Sequence, residues 1–599
     1  MCGIAGTINL KYKRDDILKA LFHRGPNEQS SYRYKNVNLL HTRLSIQDID
    51  HGQQPYSFNQ YVVIFNGEIY NHLSLRKKYL LDFTFKTLSD TETLLYLYIK
   101  YGKDMFKHID GMFSFAVLNK DTNSIFLARD RSGKKPLFIY KDKNSLMFAS
   151  ELNAIKAGIG SLKINEDNIY AYIRSGFFYK ETTAYQNVEE LEAGSFCTIN
   201  LESLEIKKEK YFDILKCYEK KSDMSFSEAL EQTDVLLRKS VKNRLLSSDL
   251  EVGAFLSGGI DSSLVVAIAS EFTSNLKTFT VKFEGAFDES HLAKITARQY
   301  NTNHHEISLS LNLKNDIEKI LLNYGQPFMD SSAIPSYYVS QEAKKHVTVI
   351  LNGDGADELF GGYRRYVPAA NGLIKIASYI SFLTKIIPKP HNKKSLYNHI
   401  YRLLSMSNKS GLDYYLSSTT DIFEDEYTFK NNSVLNDMNG FINNTNLDDF
   451  SKMLYLDFNM LLFSDLLVKM DIATMSASLE GRSPFLSKYL IEFAPTLQNS
   501  YKIKGKSTKH ILRELSKKYL NDEIIHQPKR GFEVPLLKWV NNDLKDNIFD
   551  SLSNKSYSQE FISKKFINQL LYKKINVSEE KRAKMLWNLY CLEVWEKSQ

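Results

Sequence analysis

Cysteine is scarce in this 599-residue chain: Cys2, Cys197, Cys217 and Cys591 lie far apart and form no CxxC pair. That argues against a disulfide framework or a zinc site and suits a reducing compartment. No run of about 18 apolar residues occurs, so no helical membrane span is expected. The N-terminus meets charge at Lys11 and lacks the apolar core of a signal peptide. A cytoplasmic protein is the expectation. Excess charge is small as well. The net charge is +8 from 78 basic and 70 acidic residues, with lysines spread along the chain, which argues against a nucleic-acid-binding stripe. What is present is 43% hydrophobic and 25% charged residues, the balance of an ordinary globular protein. The length exceeds what one core sustains, so more than one domain is expected.

The densest local signal is Phe255-Leu256-Ser257-Gly258-Gly259-Ile260-Asp261-Ser262-Ser263. Residues 251–255 have the pattern of a short buried strand, and residues 263–269 that of a helix start. A glycine-rich turn between strand and helix aims backbone N–H groups and the positive end of the helix dipole at an anion. The serine hydroxyls add donors, and Asp261 suits Mg²⁺ among phosphate oxygens. The Gly-Lys-Ser/Thr ending of a P-loop is missing, so the turn suits pyrophosphate better than γ-phosphoryl transfer. A second turn, Asn352-Gly353-Asp354-Gly355-Ala356-Asp357-Glu358, follows a strand expected at residues 347–351. Its three acids sit where open α/β sheets bind ligands, and their mutual repulsion calls for a cation. With another strand expected at residues 278–283, both turns belong on one rim of a parallel sheet.

At the other end, Cys2 directly follows Met1. Taken alone, such a thiol is apolar filler. With Met1 removed, its own α-amine, of pKa near ~8, can act as base for the thiol. Arg43, in a strand-like context, suits a carboxylate clamp. Asn66 and Gly67, where residues 62–71 run from strand into turn, can converge N–H groups on an oxyanion. Asp90 offers a carboxylate for an ammonium group. Short apolar runs across residues 112–149 alternate with turns and suit a sheet-rich layer. The charged stretch 206–221 breaks that pattern and is the best linker candidate.

This set, with His23-Arg24-Gly25-Pro26, resembles the class II glutamine amidotransferase domain, and the turn at 257–263 resembles the pyrophosphate loop of the ATP pyrophosphatase family. Residues 480–486 are similar to an E-x-R-x-P-F-L signature, and residues 505–514 to a K-x-x-L-R helix. The order of these motifs, from Cys2 to Gly531-Phe532, resembles that of glutamine-hydrolysing asparagine synthetases. The resemblance implies a two-domain α/β and α+β chain. Residues 2–205 form an αββα Ntn-type sandwich, 206–225 a linker, and 226–599 an open parallel-sheet α/β domain with extra helices. It implies Cys2 as nucleophile, Asn66 and Gly67 as oxyanion hole, and Arg43, Ile46, Glu68 and Asp90 around the glutamine. It also implies ATP held by Leu256, Ser257, Gly258, Gly259, Asp261, Ser262, Ser263, Val281, Asn352 and Gly353, with Leu256 and Val281 lining the adenine pocket. Mg²⁺ falls to Asp261 and Asp357, and catalysis to Asp354 and Lys509. The implied substrates are glutamine, ATP and aspartate, or another carboxylate; ammonia crosses between the domains to a β-aspartyl-AMP. A homodimer is compatible with the family, and no residue pattern specifies one.

Three departures stand out. Asn27 takes the place of an acid after His-Arg-Gly-Pro, and Asp354 that of a glutamate. Ser331 falls where some relatives carry an arginine for the acceptor carboxylate, a role serine does not fill. Arg482 or Lys469 is then the substitute, or the acceptor is a cell-envelope carboxylate; aspartate is the default. A non-catalytic scaffold is disfavoured because Cys2, Asp261 and the acids at 354–358 are all present. Residues 373–387 pattern as a basic amphipathic helix, expected to pack against the domain in preference to a membrane surface.

Overall fold

The structure, a computed structural model, describes residues 2–282, 290–308, 313–388, 396–424, 432–527 and 534–599. Met1, residue 283, Gly531 and Phe532 therefore lie outside the described residues. The first 210 residues form two stacked six-stranded sheets flanked by helices. The strand Gly3–Ile8 is interior to the first sheet, antiparallel to Val37–Arg43 and Leu146–Ala149. The strand Tyr61–Ile69 lies in the second, paired along its whole length with Gly111–Asn119. Ile4, Ile8, Leu39, Ile64, Leu118 and Leu127 fill the space between the sheets. Phe113 and Phe115 face outward onto Leu94 and Leu97 of the helix Asp90–Tyr101. On the opposite side Ala5, Leu40 and Met147 meet Ile17 and Leu21 of Arg14–Leu21. These four layers are the expected αββα sandwich.

The charged stretch after residue 205 is a correction. Ile206–Lys210 is no linker but the edge strand of the second sheet, paired from Ile199↔Ile206 to Ser195↔Lys210. Its Lys-Lys-Glu-Lys run is exposed, as an edge strand that must resist further pairing tolerates. Leu215–Tyr218 then adds a helical turn, so the connection is structured too.

The helix Phe226–Leu246, closed at its start by a capping box of Ser225 and Glu228, leads into a five-stranded parallel sheet. Its order places Val252–Phe255 between Lys277–Lys282 and Val349–Leu351. The two predicted turns leave neighbouring strands at the same edge. Helices make up most of the remaining chain, and the last, Glu579–Glu596, returns to the amidotransferase half. There Trp587 and Leu592 share a core with Ile155 and Tyr172, and Trp595 Nε1 donates to Tyr185 Oη at 3.0 Å. The two halves are thus joined by buried apolar surface.

Candidate functional site

Cys2 stands at the start of an interior strand and is 7% exposed. Its backbone N–H donates to Asn66 Oδ1 at 3.2 Å, which leaves the Asn66 amide nitrogen as the donor of that side chain. Arg24 Nε donates to the Cys2 carbonyl at 3.2 Å. Asn66 and Gly67 lie within the Tyr61–Ile69 strand and not in the turn expected for them. A side chain at Gly67 would overlap the Met112 carbonyl, so the paired strand excludes every other residue. Burial pushes the Cys2 thiol above its ordinary pKa, so ionisation needs a base close by.

Asp90 opens its helix and accepts the Ile69 N–H at 2.8 Å. Burial, with Glu480 adding to it, pushes its carboxyl up to about 7. A substrate ammonium binds the ionised form, so KM for glutamine should fall up to about tenfold between pH 6 and 8. Initial-rate measurements across that range check this; a flat KM removes Asp90 from ammonium recognition. Arg43 spends two N–H groups on its own loop, Nη2 on Asp48 O at 2.7 Å and Nη1 on Ile49 O at 3.0 Å, with Glu28 at 3.6 Å. The same loop presents Gln47, which accepts the Asp90 N–H at 2.9 Å. Sequence reasoning passed over Gln47.

The Ile46 side chain is turned from the expected glutamine site, whereas Glu68 lies beside Asp90 with its Oε1 buried and unpartnered. The Ile46 side chain packs with Leu44 against Val349 of the parallel sheet. Glu68 is buried with Arg482 Nη2 at 3.4 Å, across the domain boundary. Arg482 also holds Glu480 at 2.6 Å, the Arg244 carbonyl at 2.6 Å and Ser247 Oγ at 2.8 Å, and it is fully buried. It is therefore an interface residue, committed away from any acceptor.

The two glycine-rich turns expected to hold the nucleotide lie against each other. Ser257 and Ser262 place their hydroxyls 3.0 Å apart, and Gly258 adopts φ +80°. Gly353 packs so closely that a Cβ would come within 3.1 Å of Asp261 Cβ. Lys509 Nζ sits 2.5 Å from Asp261 and 2.7 Å from Asp357. Its backbone is left-handed, φ +52°, a strained setting for a lysine. Any side chain at Gly362 would overlap Asp357 Oδ1 and Lys509 Cε. Asp261 Oδ1 is buried without a hydrogen-bond partner, a hard oxygen donor that fits Mg²⁺. Burial, with Asp357 adding to it, pushes the neighbouring Glu358 up to about 7. One expected nucleotide contact needs correction. The Ser263 hydroxyl turns into the core to accept from Thr296 Oγ1 at 3.2 Å. Leu256, just past the end of one strand, and Val281, in the adjacent strand, pack into different apolar clusters.

Asp354 connects the two halves. Asn352 Nδ2 at 2.7 Å, Ser483 Oγ at 3.4 Å and Lys134 Nζ at 3.2 Å all donate to its Oδ2. Lys134 comes from the amidotransferase half and is 3% exposed. Its neighbour Lys135 reaches Asp471 at 3.0 Å, and Asp471 meets Arg24 at 2.8 Å. A buried run of charges therefore joins Asp354 to the Cys2 carbonyl. The turn carrying both lysines is shaped by Asp130, whose carboxylate accepts the N–H groups of Ser132, Lys134 and Lys135 at 3.0–3.1 Å. Adjacent lysines between that aspartate and Pro136 were the only sequence signal for it. Nearby, Lys469 Nζ pairs with Asp330 and Ser332 Oγ, each at 2.9 Å.

The chain matches the asparagine synthase family over residues 232–597 and the glutamine amidotransferase domain over residues 1–212. Glutamine-hydrolysing asparagine synthetase 1 of Bacillus subtilis is 31% identical, covering 99% of this chain and 96% of its own. A putative glutamine-hydrolysing asparagine synthetase 2 of Methanocaldococcus jannaschii is 38% identical over 61% of this chain and 76% of its own. Asparagine synthetase B of Escherichia coli is 29% identical over 62% of this chain and 66% of its own. Similarity of this extent, carried from one end to the other, establishes descent: the chain belongs to the asparagine synthase family.

Proposed function

We propose that the protein is a glutamine-dependent asparagine synthetase in which Cys2, freed of Met1, attacks the glutamine amide. Asn66 Nδ2 and the Gly67 N–H take the oxyanion, Asp90 the ammonium, and Arg43 the α-carboxylate. Loss of ammonia leaves a thioester that water hydrolyses, and neutral ammonia passes between the domains. In the other half the side-chain carboxylate of aspartate attacks the α-phosphorus of ATP and expels pyrophosphate. The turns at 257–263 and 352–358 hold the departing group, with Lys509 offsetting its charge. Mg²⁺ at Asp261 and Asp357 would neutralise phosphate oxygens as negative charge shifts to the pyrophosphate. Ammonia then attacks the acyl-adenylate, Asp354 orienting it or taking its proton, and AMP leaves. With Arg482 committed to the interface, Lys469, beside Asp330, is the remaining candidate cation for the acceptor's own carboxylate. The observation that carries this reading is the Lys134–Asp354 pair at 3.2 Å, which ties the ammonia-producing half to the adenylating one.

Mass detection of asparagine from ATP, Mg²⁺, glutamine and aspartate is the direct test. Glutaminase turnover without asparagine rejects aspartate as the acceptor. Lys134→Met should lower ammonia-dependent synthesis roughly tenfold to a hundredfold, because Asp354 loses the cation that fixes its carboxylate. Its effect in an Asp354→Asn background should be small. Full ammonia-dependent activity in Lys134→Met would remove the pair from the mechanism.

A further inference from the structure

Residues 373–387 do not pack as the single amphipathic helix their pattern suggests. Leu373–Tyr379 is a short helix followed by the turn Ser381–Lys385, and it packs on the helix Leu396–Ser407. The pair buries Ala377 and Leu404 but leaves much of its apolar surface bare. Nine of the eighteen exposed large apolar side chains among the described residues lie between positions 373 and 400. Tyr379 is 82% exposed, Leu396 75% and Ile386 74%, joined by Leu373, Ile376 and Phe382. Elsewhere such side chains are scattered singly, which is normal; a cluster of this kind marks a surface that binds.

Charge identifies the occupant. Residues 371–410 contain no aspartate or glutamate, against six lysines and one arginine, in a chain whose net charge is only +8. Of these, Lys389, Lys393 and Lys394 lie outside the described residues, and Lys409 lies 3.9 Å from Glu424. Lys375 and Lys385 are exposed beside them. An acidic protein face would answer the cations and leave the apolar side chains opposite charge. A second copy would answer the apolar side chains but set cation against cation. An anionic bilayer supplies phosphate at the surface and hydrocarbon beneath, in the order this surface requires. We propose that this helical pair docks the enzyme peripherally on anionic lipid membranes. The segment follows Val367–Ala370, and Asn371 Nδ2 donates to Gly505 O at 2.9 Å, just before Lys509, so docking would bring the nucleotide site close to the membrane.

The test is co-sedimentation of the full chain with vesicles of phosphatidylcholine alone or with phosphatidylglycerol added, at low and high salt. Binding to the anionic vesicles only, weakened by salt, is expected. The triple variant Ile376→Ser, Phe382→Ser, Ile386→Ser should bind at least about tenfold more weakly, and Lys375→Glu with Lys385→Glu about tenfold or more. Glutaminase activity and thermal midpoint, measured alongside, should match the parent. No binding to anionic vesicles, or binding the triple variant retains, overturns the proposal. So does concentration-dependent self-association that the triple variant abolishes.

Discussion

Cys2→Ala should abolish glutamine-dependent asparagine formation, by at least about 10⁴-fold, and leave ammonia-dependent formation within about twofold of the parent. The other thiol of its half, Cys197, is sealed in the core between the sheets, which leaves Cys2 to form the thioester. Asp261, Asp357 and Lys509, the groups proposed for adenylation, belong to the other half and contact one another there. The buried link between the halves reaches the Cys2 carbonyl through Arg24 and not the side chain, so truncation at Cβ leaves that link intact. Activity with glutamine and with ammonium salts, assayed side by side, decides the matter. Equal loss of both would mean that one site carries both reactions. Protein retaining Met1 should behave as Cys2→Ala does, because its thiol lacks an adjacent free amine; intact mass identifies that fraction.

Much of this was legible because it is local. Cys2 is conspicuous by position, and the turns at 257–263 and 352–358 by glycine and acid content, since close backbone approach to phosphate has few solutions. The alternating strands of residues 111–149 were legible because each buries at least one face. The interface was not. Lys134 and Asp354 lie 220 residues apart, and Lys135 and Asp471 336 apart, and nothing in either neighbourhood names the partner. Ile46 and Arg482 are expected as substrate contacts because their motifs neighbour the sites, whereas their side chains hold the domains together. Ile206–Lys210 escaped notice because an edge strand exposed to water needs no apolar alternation. Ser263 fails for a simpler reason: at the fourth residue of its helix the hydroxyl already faces the core.

The second large effect belongs to Lys509. Its ammonium is 2% exposed and lies between two carboxylates, so Lys509→Met removes the charge that lets Asp261 and Asp357 share one site. Pyrophosphate release should fall about 10²–10³-fold, as for loss of one preorganised electrostatic donor, about 3–4 kcal/mol. Glutaminase activity should persist. The half-saturating Mg²⁺ concentration should also change, because the cation must then offset both carboxylates and the triphosphate alone. Lys509→Arg should not restore activity. Gly362 admits no side chain beside the lysine stem, and a planar guanidinium needs more room than an ammonium. Gly362→Ala offers an independent check, since its methyl group would displace the same pair without altering any charge. Near-parental exchange of pyrophosphate into ATP by Lys509→Met would remove this lysine from adenylation, and the strained backbone at position 509 would then need another explanation.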